Sequence, residues 1–194
     1  MLTFLCKKEF FLLENLLAYH CGPALAGIKP ANIVACQKLR FSDLHSKIIK
    51  LNNELNKTNI YIEILCECES MMLLIVYRKN VLEKHLQCKE NQNFLKTYGY
   101  SENMQIDQQL AKLKTRFREN GFPHEVGVFL GYPLHDIYGF INHRDDGCLF
   151  TGDWKVYQDV ETAKKLFLRY KACKKAILKR VTSGATLAQI FCAA

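Results

Sequence analysis

The chain has 194 residues and a formal net charge of +8, with 49% hydrophobic and 24% charged residues. That balance fits a globular protein able to bury a full core, and it argues against a disordered chain, a collagen-like chain and a membrane protein. The charge excess is local: after Glu161 come Lys164, Lys165, Arg169, Lys171, Lys174, Lys175, Lys179 and Arg180 with no acidic residue, while the rest of the chain is balanced, which disfavours a whole-domain nucleic-acid binder.

The first twenty residues are apolar but interrupted by Lys7, Lys8, Glu9 and Glu14, so they lack the unbroken core of a signal peptide. Phe10 to Tyr19 is expected to form a buried helix that stops at the His20-Cys21-Gly22-Pro23 turn, because Gly and Pro end helices. A short strand is expected at Asn32 to Ala35. Ser42 or Asp43 can cap a helix to about Leu55, with Leu44, Ile48, Leu51 and Leu55 on one face.

A hairpin follows. Ile60, Ile62 and Ile64 alternate with Tyr61, Glu63 and Leu65, the tip lies near Glu67 to Ser70, and Met71 to Tyr77 is continuously apolar. The second run is the pattern of a strand covered on both faces. Val81 to Cys88 and Asn91 to Tyr98 are expected as short helices. Ile106, Leu110, Leu113 and Phe117 mark an amphipathic helix ending before Gly121.

Glu125 to Leu130 is expected to be a strand, and Pro133 to open a helix to about Asn142. A polar loop over 144–153 and a short strand at Trp154 to Tyr157 come next. Asp159 can cap a basic helix over about 160–181, with Ala163, Phe167, Tyr170, Cys173 and Ile177 inward. Leu187 to Phe191 forms a last helical turn. The expectation is an α/β fold: a single domain over 1–194, with a mixed sheet of four to five strands flanked by helices.

Nine cysteines are present. An odd number, in a chain long enough to need no staples and without a secretory signal, points to free thiols in a reducing cytoplasm. Cys66 and Cys68 form a C-x-C pair that can chelate a soft metal, although strand cysteines more often serve as small packing residues.

Three segments can carry chemistry. They are His20-Cys21-Gly22-Pro23 through Lys29-Pro30, Phe122-Pro123-His124-Glu125 through Gly131-Tyr132-Pro133, and the run containing Cys148, Gly152, Trp154, Lys155 and Tyr157. In this order and spacing they resemble the domain-of-unknown-function family 3793, found mainly in clostridia and their anaerobic relatives. The resemblance covers about residues 12–187. It implies a small intracellular bacterial protein and no particular reaction. It singles out His20, Cys21, Lys29, Pro123, His124, Glu125, Gly131 and Tyr132.

From the residues themselves, a thiol near a helix N-terminus or an imidazole is activated, and a Cys–His pair is the minimum for a thiol nucleophile with its base. Cys21 would then be the nucleophile and His124 the base, with Glu125 or Asp136 orienting it. The order Cys, His, then Asp136 or Asn142 is similar to papain-like hydrolases. The match departs where Gly27 and Pro30 cut short any helix headed by Cys21. The alternative is a metal- or haem-binding protein using His20, Cys21, His124, Glu125 and Cys148, although none shows a ligand spacing.

Gly131-Tyr132, as a strand-to-helix turn, would present free N–H groups to an anion, with Lys29 adding positive charge. Trp154 and Lys155 would line the same small-molecule pocket. An acidic partner at Lys164–Arg180 is a third possibility.

Overall fold

The computed structural model describes residues 2–192. In chain order its elements are helix α1 (Leu2–Leu25), strand β1 (Ala31–Gln37), helix α2 (Leu44–Leu55) and strands β2 (Ile60–Glu67) and β3 (Met71–Arg78). Helices α3 (Lys79–Leu86), α4 (Lys89–Lys96), α5 (Ile106–Asn120), α6 (Val126–Phe129) and α7 (Leu134–His143) follow. Strands β4 (Phe150–Thr151) and β5 (Lys155–Val156) and helices α8 (Val160–Thr182) and α9 (Leu187–Phe191) complete the order. The chain groups into two compact units, residues 1–81 with 173–194 and residues 82–172.

The first unit is built on an antiparallel three-stranded sheet in the order β1-β3-β2. Its register pairs Val34 with Leu74 and Ile62 with Val76, with a bulge between Ile64 and Cys66. Period-two alternation puts Val34, Cys36, Ile60, Ile62, Met72, Leu74 and Val76 into one core with Leu13 and Leu17 of α1, Leu51 and Leu55 of α2, and Ile177 and Val181 of α8. In the central strand Ile75 and Tyr77 are also buried, as the unbroken apolar run requires. Asp43 caps α2 as expected, accepting from the Ser46 N–H at 3.0 Å.

Two polar contacts fasten helices in this unit. Glu9 accepts from Lys47 and Ser42, which hold its pKa down to about 2. Glu14, buried in α1, accepts from the Leu187 N–H at 2.6 Å, and burial raises its pKa.

Helix α1 runs past the expected stop and takes in Pro23. The proline sits in the last turn, where the following chain captures the end carbonyls. Ala26 N–H donates to Gly22, Gly27 N–H to Ala24, and Ile28 N–H to Pro23. Asn32 Oδ1 accepts from the Ala24 N–H and Arg78 Nε donates to the Leu25 carbonyl. A helix end so fully partnered tolerates a proline that removes only one donor.

The second unit carries no part of the large sheet. Its only strand pair among the described residues is the β4–β5 hairpin. The mixed sheet of four to five strands is thus corrected to separate sheets of three and two strands. The expected strand at Glu125 to Leu130 is instead a helical turn. The N–H groups of Val126, Gly127 and Val128 donate to the carbonyls of Pro123, His124 and Glu125. Every residue from Glu125 to Leu130 is buried, and a short apolar run buried all round has no period to distinguish helix from strand. No helix is long and apolar enough to cross a membrane among the described residues.

Candidate functional site

The second unit holds a cavity of about 440 Å³ between the α6 turn, α7 and the β4–β5 hairpin. Pro123, Val126 and Gly127 form one side and Tyr132 and Trp154 another. On α7, Asp136, Ile137 and Phe140 fall on one face because they are spaced i, i+1, i+4.

Asp136 organises the site from below. Its buried carboxylate accepts from Trp154 Nε1 at 2.8 Å, from the Tyr157 N–H at 2.7 Å and from the Gln158 N–H at 3.3 Å. These bonds pin the hairpin to α7 and fix the indole. The indole stacks on Tyr132 at 4.8 Å and meets the Phe167 ring edge-on at 4.5 Å. Burial and the nearby Asp153 push the Tyr132 phenol up to about 12, so the phenol stays neutral in the wall.

The mouth is more polar. His124 is exposed, its ring 5.8 Å from that of Phe140. Its imidazole makes no hydrogen bond or ion pair among the described residues, although its carbonyl accepts from the Gly127 N–H. Lys155 lies 5.7 Å above the Phe140 ring and pairs with Asp145.

His124, Tyr132, Asp136, Trp154 and Lys155 are therefore brought together around one cavity. Asp136 does not orient His124 as expected; its oxygens serve Trp154 and the hairpin main chain. Glu125 is fully buried, with Oε1 accepting from Arg116 Nε at 2.7 Å and Oε2 unpartnered. It is the buried half of an ion pair, which changes its expected part as a group orienting His124. Sequence reasoning missed Arg116, Ile137 and Phe140. The last two were legible from their helical spacing to Asp136, while nothing local marked Arg116.

The Gly131 turn also differs from expectation. Gly131 N–H donates to Val128 and Tyr132 N–H to Gly127, so neither is free for an anion. Gly131 has φ +69°, which lets the chain close the α6 turn. Cys148 is half-buried in the hairpin, its thiol 3.4 Å from the Phe150 carbonyl.

His20, Cys21 and Lys29 belong to the first unit. Cys21 lies near the C-terminus of α1, not at a helix N-terminus, and is fully buried in the apolar core. Burial drives its thiol pKa strongly upward, against weak pulls from Lys29 and Lys174. Both premises for an activated thiolate are reversed there, because the helix C-terminus and low dielectric disfavour the anion. His20 is exposed, and partial desolvation and Lys174 lower its pKa. Lys29 is buried. Among the described residues no three His, Cys, Asp or Glu side chains converge as metal ligands.

Exposed thiols lie elsewhere, at Cys68 and Cys88. Cys68, at the β2–β3 tip, has its pKa lowered by hydrogen bonds from Ser70 and Met71. Burial pushes Cys36 up to about 11. A disulfide reagent added to the native protein should therefore modify Cys68 early, and Cys21 and Cys36 only on unfolding. Peptide mass mapping of the time course checks this; native-state labelling of Cys21 at the Cys68 rate would contradict it.

The family model described as "protein of unknown function (DUF3793)" matches the chain over residues 17–191. The chain belongs to the DUF3793 family. No curated protein and no solved structure matches it. The matched span takes in both units, and with them the cavity of this family member.

Proposed function

We propose that the protein binds a small, apolar, ring-bearing molecule carrying one acidic or accepting group. The observation that carries this is the aromatic cavity itself. It has a ligand-sized volume of about 440 Å³, a rigid stacked Tyr132–Trp154 wall, and an unpartnered imidazole at its mouth. The rings supply apolar contact, and His124 supplies the one hydrogen bond that orients the guest. Cys21 has no part in this binding. The described cysteines are free thiols, in keeping with the reducing cytoplasm proposed as its setting.

Trp154 is the only tryptophan in the chain and lines the cavity, so its emission reports occupancy directly. Titration with anilinonaphthalene sulfonate, an apolar ring system bearing an acid, should give saturable energy transfer from Trp154. Gly127→Leu should abolish the signal without loss of helical circular dichroism, because a Cβ there already comes within 3.0 Å of Ile137. His124→Ala should weaken binding several-fold. No saturable transfer, or transfer indifferent to both substitutions, would refute the proposal.

A further inference from the structure

Asp136 and Lys155 are the carboxylate and the ammonium that line the aromatic cavity, and they stand in opposite conditions. Asp136 is buried, with both oxygens engaged by N–H groups of the hairpin. It has no bond to offer a guest, and its negative charge repels an acid carried deep into the cavity. An acidic group on the guest therefore belongs at the mouth, with the rings inside.

Lys155 is at that mouth. It lies in β5 between Trp154 and Val156, both buried. The Tyr157 and Gln158 N–H groups that follow are bonded to Asp136, so the backbone that carries the lysine is fixed. Its ammonium lies 5.7 Å from the centre of the Phe140 ring, and the His124 imidazole borders the same ring at 5.8 Å. Among the described residues no other Lys or Arg lines the cavity.

The ammonium is ion-paired with Asp145, in the loop between α7 and β4. The pair is unequal. Asp145 does not line the cavity, and its side chain is 83% exposed against 32% for Lys155. An exposed ion pair contributes little, and water rehydrates the carboxylate that leaves it. An acid arriving from the cavity meets the same ammonium against an aromatic wall, where less water screens the attraction. Given the ring-binding cavity proposed above, on which this rests, we infer that Lys155 selects an aromatic carboxylate as the guest and that Asp145 is the internal counter-ion which the guest displaces. The accepting group is then an acid and not a neutral carbonyl or hydroxyl, because only an acid can replace the charge of Asp145.

Calorimetric titration of the full chain with 2-naphthoate and its neutral isostere 2-naphthamide tests this. Both bring the rings, so both should bind, and Gly127→Leu should abolish both. The naphthoate should bind about tenfold more tightly, as a charge-assisted hydrogen bond requires. In Lys155→Met that preference should fall to about one. In Asp145→Asn it should rise about threefold, because the guest acid no longer competes for the ammonium. The preference is a ratio of two affinities within one variant, so a general loosening of the cavity does not raise it. Asp145 is largely exposed, so its variant keeps the test decisive if Lys155→Met fails to fold. Amide binding with no preference for the acid, or a preference unchanged in either variant, would overturn the inference and leave the ring-binding cavity standing. Binding of neither compound would refute both.

Discussion

Asp136→Ala should destabilise the second unit by about 3 kcal/mol, the cost of stranding buried donors of a charged acceptor. The carboxylate accepts from Trp154 Nε1, Tyr157 N–H and Gln158 N–H. Removing it leaves the indole donor buried and releases the hairpin from α7. Urea unfolding followed by Trp154 emission reads the loss where it occurs. Asp136→Asn should fall between wild type and alanine, because the amide keeps one accepting oxygen and loses the charge. A loss below about 1 kcal/mol for the alanine variant would show that the hairpin is held mainly by packing.

Gly152→Ala should cost about 2 kcal/mol, by overpacking. A Cβ at this position would collide with Cε2 and Cδ2 of the Phe167 ring. The backbone cannot easily retreat, because the Gly152 N–H donates to the Trp154 carbonyl at 3.0 Å and closes the turn. The strain has a single partner, so Phe167→Leu in the same chain should recover much of the loss. Denaturant midpoints of the two single variants and the double variant measure that coupling. Strict additivity would mean that the collision is relieved by the hairpin rather than by the ring.

The legible parts of the fold are those with a clear period and a local punctuation mark. Helix α5 announced itself through Ile106, Leu110, Leu113 and Phe117, and β3 through its unbroken apolar run ahead of Arg78. Two segments misled for opposite reasons. Glu125 to Leu130 has β-favouring residues but is buried on every side as a helical turn, so composition outweighed a missing period. Pro23 reads locally as a stop, yet α1 continues because Asn32 and Arg78, distant in sequence, satisfy its last turn. Tertiary partners of that kind leave no local trace.

The cavity shows the same division. His124, Tyr132, Asp136, Trp154 and Lys155 stood out by residue type. The bond from Trp154 to Asp136, which makes them one site, spans 18 residues across a loop and has no sequence period. Cys21 stood out for its neighbours His20 and Gly22, and those neighbours matter less than its place on the inward face of α1.

The first unit is written in two pieces, with residues 82–172 inserted between them. On the ribosome, α1 and the three strands emerge early, but Ile177, Val181 and Leu187 of the same core arrive last. Glu14 must wait 173 residues for the Leu187 N–H that satisfies it. Contacts so far apart in sequence are slow to close, so the second unit, whose chain is continuous, is complete before the first can be. Until then the half-built core presents an open apolar face and an unanswered carboxylate, and this is the interval in which a nascent chain most needs protection from aggregation.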